Sequence, residues 1–209
     1  LVDQRVGDKL VDSMKRVLRE FYDDEPRNNP SYGRIVNRKH FDRLVSYLGS
    51  GRILCGGEHD AGDLYIAPTI LTEVAKDAPV MQEEIFGPIL PVLEFPALDE
   101  ALTFLRNRPT PLALYLFTND RATQDRVLAE TRSGGVCIND TVSHIIGHHL
   151  PFGGLGESGM GSYHGRASFD CFSHRRSVLR RSLTFDPKLR YPPPRFTLAT
   201  LKRFYRFFL

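Results

Sequence analysis

Between residues 89 and 138 the chain alternates apolar runs with helical periods, and this constrains its fold more than any other feature. Residues 89–95 form an almost continuous apolar run. Leu98, Ala101, Leu102 and Leu105 then recur at helical spacing. Residues 112–117 are apolar without alternation, the pattern of a strand buried on both faces. Asn119 and Asp120 are N-cap candidates for a helix through Ala122, Val127 and Leu128. Gly134 and Gly135 end that helix, and residues 136–138 read as a third strand. Strand, helix, strand, helix, strand with short connections predicts an α/β fold of parallel strands joined by right-handed crossovers. Sites in such folds gather at the C-terminal ends of the strands, here the loop that follows Ile138.

The flanks are less regular. Val6, Leu10, Met14, Val17, Leu18 and Phe21 share one helical face, and Phe41, Leu44, Val45 and Leu48 share another on a helix starting near Asn37. Short strands are expected at 52–55 and 64–71, the second interrupted by Pro68. The loop 139–165 is rich in Gly and His, and 168–183 reads as one more strand, at the surface or between subunits. Tyr191 and Pro192 to Pro194 make a stiff break before an aromatic, basic end. The formal charge of +3 hides an asymmetry: residues 175–206 hold ten Lys or Arg and one acid, so they carry +9 and the rest −6. Such a tail suits an acidic partner. With 41% hydrophobic and 25% charged residues the chain is neither disordered nor a membrane span. Three Cys at 55, 137 and 171 fit no zinc or disulfide spacing and point to a reducing compartment. Leu1 to Arg5 shows neither an initiator Met nor a signal pattern and reads as the inside of a longer chain.

Each motif has a plain reading beside a chemical one. Gly154, Gly156 and Gly159 match G-x-G-x-x-G, but no strand leads directly into them, so a tight loop packed against backbone is expected rather than a phosphate cradle. His144, His148 and His149 lack a fourth ligand nearby, so no metal is expected. Asn139-Asp140-Thr141 is a formal glycosylation sequon, read here as a strand-end turn. None of the three Cys has a general base in view. Glu83-Glu84-Ile85-Phe86-Gly87-Pro88 is either a solvated turn before a buried strand or a carboxylate for a ribose diol with an aromatic ring beside it.

Taken together, these residues resemble the aldehyde dehydrogenase superfamily. Residues 83–88 are similar to its E-E-x-F-G-P motif, and Pro151-Phe152-Gly153-Gly154 with Ser158, Gly159 and Gly161 is similar to its P-F-G-G-x-x-x-S-G-x-G motif. Phe21-Tyr22, Gly33-Arg34-Ile35 and Phe172-Ser173-His174-Arg175-Arg176 resemble the class 3, fatty-aldehyde branch. The resemblance implies the parallel-sheet catalytic domain of that fold. It implies that Glu84 holds the nicotinamide ribose of NAD or NADP, that Phe86 packs near the nicotinamide, and that Phe152, Ile146 and Val142 line the aldehyde pocket. It also implies that 1–166 are a partial catalytic domain without the nucleotide-binding domain, 167–183 an oligomerisation-arm strand, with 172–181 in the arm of a homodimer, and 184–209 a basic aromatic tail.

The implied reaction is NAD(P)-dependent oxidation of a medium- or long-chain or aromatic aldehyde to the acid, begun by a Cys thiolate. By the resemblance that Cys and its general-base Glu lie upstream of Leu1, and these 209 residues alone are inactive. The rival reading is a non-catalytic relative that acts by association or membrane attachment. Leu198, Leu201, Phe204, Tyr205 and Phe208 form an apolar stripe beside Lys202, Arg203 and Arg206, the pattern of an anchor on an anionic membrane surface. No nucleic-acid partner is expected, and the location expected is cytoplasmic or on the cytosolic face of a membrane.

Overall fold

The computed structural model of the chain describes residues 1–184, 186, 191–193 and 196–208. A two-residue strand, β1 (Val2–Asp3), leads into α1 (Gly7–Tyr22). Val11 of α1 is buried, and Met14 and Leu18 pack against a small cluster of Val2, Ile70 and Val92. Helix α2 (Arg38–Tyr47) begins where the Asn37 side chain accepts the His40 N–H at 3.0 Å, which satisfies one of the four unpaired N–H groups of the first turn. Its Phe41, Leu44 and Tyr47 face inward at helical spacing and anchor the main core.

Strands β2 (Arg52–Cys55), β3 (His59–Asp60), β4 (Tyr65–Ile66) and β5 (Thr69–Thr72) follow. β2 pairs antiparallel with β5, and β3 with β4. β5 is buried from Thr69 to Leu71 and forms the middle of a three-stranded sheet whose other neighbour, parallel to it, is β6 (Ile89–Pro91). Leu71, Ile89 and Val80 complete the core under α2. Each of the largest buried side chains stabilises the fold by about 2–3 kcal/mol.

The apolar run 89–95 is not one strand. It changes partner midway: β6 pairs with β5, whereas β7 (Glu94–Phe95) pairs parallel with β1. Val92 and Leu93 between them are buried on different clusters, so the break places one residue in each core. Helix α3 (Leu98–Arg106) buries Ala101 and Leu102 and carries Asp99 and Glu100 in its first turn, where the helix dipole favours acids. β8 (Ala113–Leu116), α4 (Arg121–Glu130) and β9 (Gly135–Ile138) form a β-α-β unit with parallel strands. Asp120 caps α4 by accepting the Thr123 N–H at 2.9 Å. Arg106 donates to Glu130 at 2.7 Å and so ties α3 to α4.

Three expectations need correction. The three strands of 89–138 do not share one ladder, because β8 and β9 pair with each other while β6 and β7 pair with earlier strands. Nor is 112–117 buried on both faces: Tyr115 is exposed on one side of β8 and Phe117 is 64% exposed, since α4 contributes only Val127 to burial. The expected strand at 168–183 is also absent. Residues 165–171 form helix α5 (Gly165–Cys171), and 172–183 make no ladder among the described residues. A strand requires a neighbour to pair with its N–H and C=O groups, and none of the described strands pairs with this segment. Phe172, Val178, Leu179 and Leu183 are exposed there. The tail forms α6 (Leu198–Phe208) as its periodicity predicts. Lys188, Arg190, Pro194, Arg195 and Leu209 lie outside the described residues.

Candidate functional site

The first group of candidate residues stands on the turn before β6. Arg43 of α2 donates from Nη2 to the Ile85 carbonyl at 2.7 Å and from Nη1 to the Glu84 carbonyl at 3.3 Å. The Tyr47 hydroxyl donates to the Glu83 carboxylate. That bond holds the Glu83 carboxyl below its ordinary range, while burial raises the Tyr47 phenol. Ile85 packs against the core. Gly87 is required where it stands, because a Cβ there would lie 2.6 Å from both Leu44 methyl carbons. Ile85 is the half-buried residue of this turn, while Glu83, although held by Tyr47, stays exposed together with 84 and 86. Glu84 is exposed, and Phe86 is 75% exposed on a left-handed backbone (φ 47°) that costs a non-glycine residue energy. An exposed carboxylate two residues from an exposed ring fits a ribose diol and the flat heterocycle attached to it.

The second group stands on the loop after β9, where the strand order places it. Asn139 (φ 58°) closes the ends of β8 and β9 with two bonds: its Oδ1 accepts the Thr118 N–H at 2.8 Å and its Nδ2 donates to the Thr118 carbonyl at 3.1 Å. Val142 is also left-handed (φ 64°), a costly state for a β-branched residue, and the turn Ser143–Ile145 follows. Val142 is 51% and Ile146 72% exposed. Phe152 is half-buried and bridged to Tyr163 by two N–H···O bonds of 2.9 Å. Its ring meets His144 at 5.6 Å, Tyr163 at 5.7 Å and His164 at 6.2 Å between centroids. The glycine motif is a backbone-packed loop, as expected. A Cβ on Gly153 would lie 2.1 Å from the Gly161 carbonyl, and one on Gly154 2.0 Å from that of Ser158.

Val142, Ile146 and Phe152 thus share one loop, and Glu84 and Phe86 one turn. No hydrogen bond, ion pair or ring contact among the described residues joins the two groups. Cys55 is half-buried against the small cluster, Cys137 lies opposite Tyr115 in the β8–β9 ladder, and Cys171 is exposed at the end of α5 beside Gly161. A cleft of about 650 Å³ lined by Lys15, Arg19, Arg27, Glu58 and His59 lies apart from all five candidate residues. Sequence reasoning missed Arg43 and Tyr47, which hold the turn, and Tyr115, which backs the loop. Tyr47 carries a signal, an inward helical position with a polar tip, whereas the half-buried Arg43 and the exposed Tyr115 carry none.

A family model described as the aldehyde dehydrogenase family matches residues 1–178. The chain is 46% identical over 208 residues to 4,4'-diaponeurosporen-aldehyde dehydrogenase of Staphylococcus aureus, across 99% of this chain and 45% of that protein. It is 49% identical to human aldehyde dehydrogenase family 3 member B1 over 92% of this chain and 42% of that protein. It is 48% identical to the bovine dimeric NADP-preferring aldehyde dehydrogenase, over 93% and 82% respectively. The chain therefore spans under half the length of the staphylococcal and human relatives. Among solved structures, the substrate-bound state of Staphylococcus aureus AldH superposes with a TM-score of 0.84 at 46% identity, covering 98% of this chain and 45% of that one. Indole-3-acetaldehyde dehydrogenase complexed with NAD+ does so with a TM-score of 0.74 at 27% identity, covering 85% and 37%.

Proposed function

This chain belongs to the aldehyde dehydrogenase family, and on that footing we propose that it forms the aldehyde-binding and ribose-binding half of an NAD(P)-dependent oxidation of aldehydes to carboxylic acids. The observation that carries the reading is the turn 83–88. Arg43 holds the Glu84 and Ile85 carbonyls and Tyr47 the Glu83 carboxylate, so the exposed Glu84 and Phe86 stand on a turn that is fixed before a ligand arrives. Glu84 accepts hydrogen bonds from the nicotinamide ribose diol and Phe86 packs near the ring. When bound, the dinucleotide supplies the hydride acceptor. Phe152, Val142 and Ile146 form an apolar wall that takes a medium- or long-chain or aromatic aldehyde and excludes water from it. On this reading the nucleophilic thiolate comes from outside these 209 residues, since among the described residues no hydrogen bond joins Cys55, Cys137 or Cys171 to a base, and all three are free thiols. The bovine relative is named as dimeric. Residues 172–181, exposed apart from Ser173 and without a ladder among the described residues, serve as the arm that pairs with a second copy.

In the form of the protein that turns over aldehyde, Glu84→Gln keeps the fold and raises KM for the dinucleotide about tenfold, since an uncharged acceptor binds a diol less strongly. KM for the aldehyde stays as it was. Dinucleotide kinetics that do not change remove Glu84 from the site.

A second proposal rests on α6. Leu198, Leu201, Phe204 and Tyr205 are exposed along one face, and Lys202, Arg203 and Arg206 border it. No helix among the described residues is long and apolar enough to cross a membrane. We propose that this face rests on an anionic lipid surface rather than crossing it.

A further inference from the structure

Among the described residues, Thr69 and His144 are the buried polar side chains. Thr69 is fully used: its Oγ1 donates to the Ala67 carbonyl at 2.7 Å and accepts the Gly57 N–H at 3.0 Å. His144 is 9% exposed, and neither ring nitrogen has a hydrogen-bond partner among the described residues. Buried polar atoms without partners are disfavoured and call for an explanation. Rings and backbone hold this one instead. Tyr115 of β8 meets it edge-on at 5.9 Å, and Phe152 meets it at 5.6 Å. A Cβ on Gly135 of β9 would lie 2.8 Å from its Cδ2, so the ring rests directly on the strand backbone.

The position of this ring in the chain matters for the residues on either side. His144 is the centre of the turn Ser143–Ile145, and Val142 and Ile146 stand two residues before and after it. The centre is buried and both flanks are exposed. Anchoring the centre therefore fixes the side on which the flanks stand. It also offsets the left-handed backbone at Val142, which local preference alone would relax. We propose that His144 is a positioning residue for aldehyde specificity: its ring acts as an aromatic wedge, not as a base or a ligand, and sets Val142 and Ile146 as the wall of the pocket. This rests on the reading that those two residues face the aldehyde.

The wedge has a direct consequence, since a ring without nitrogens should do the same work. In the form that turns over aldehyde, His144→Ala should raise KM for a long-chain aldehyde about tenfold, with kcat and the dinucleotide KM within about twofold. His144→Phe should restore it. Failure of Phe to restore KM, or a fall in kcat with KM unchanged, overturns the proposal. Should His144→Ala fail to fold, the methyl resonances of Val142 and Ile146 in this chain decide between the parent and His144→Phe. Superimposable signals support the wedge and displaced ones overturn it. Methyl signals that move in Ala and return in Phe, beside an aldehyde KM that never moves, uphold the wedge and sink the pocket reading instead.

Discussion

At Gly134 the fold tolerates no side chain. An added Cβ would lie 2.1 Å from the Gly153 carbonyl and 2.6 Å from that of Leu112, so backbone closes on it from two sides. This close approach joins the β8–β9 unit to the loop that carries Phe152. Gly134→Ala should therefore cost about 2–3 kcal/mol in urea unfolding, as overpacking against rigid backbone does. Gly33 is the control: it has open space around it, so Gly33→Ala should lie within about 1 kcal/mol of the parent. Equal costs for the two would show that the strand end and the loop do not meet. In the sequence, Gly134 reads only as the stop of a helix. Its second role depends on Gly153, 19 positions away, which no local pattern reports. Phe86 and Val142 are similar cases. The sequence marks them as aromatic and β-branched, while their left-handed backbone belongs to the turns that hold them.

The helices repay sequence reading better than the strands. α1, α2, α3, α4 and α6 each form where the apolar period places them, with side-chain caps at the starts of α2 and α4, because a helix makes its hydrogen bonds within itself. Strands need partners, and partner choice is not local. The run 89–95 divides between β5 and β1, and 172–183 finds no strand partner among the described residues. The tail makes a prediction at this scale. If α6 rests on lipid, the chain should sediment with vesicles rich in anionic phospholipid, and a chain lacking 192–209 should not. Raising salt should weaken the binding, because the Lys and Arg contribution is screened. Equal sedimentation of both chains rules the anchor out. Sedimentation that salt leaves untouched assigns the contact to the apolar face alone.

On the reading proposed above, the whole chain contributes two walls of a site and takes its nucleophile from elsewhere. Purified 1–209 should form no NADH or NADPH from any aldehyde. Turnover that Cys55→Ser, Cys137→Ser or Cys171→Ser abolishes would place the thiol within this chain and refute the division of labour proposed above. The exposed Phe117, Phe172 and Leu179 should also make the isolated chain prone to association, which sedimentation velocity across a concentration series reads directly. By itself the sequence determined every helix but α5, the parallel β8–β9 pair and the family resemblance, and through that resemblance named the five candidate residues, because periodicity, N-cap residues and two long motifs are local in the chain. Only the tertiary structure decided how those residues are presented. Arg43 and Tyr47 reach the turn 83–88 from a helix some 40 positions away, and the buried ring of His144 lies against Tyr115 and Phe152 from two other segments. Packing of that kind depends on which distant segments share a core, and this is fixed by shape and burial in three dimensions rather than by neighbours along the chain.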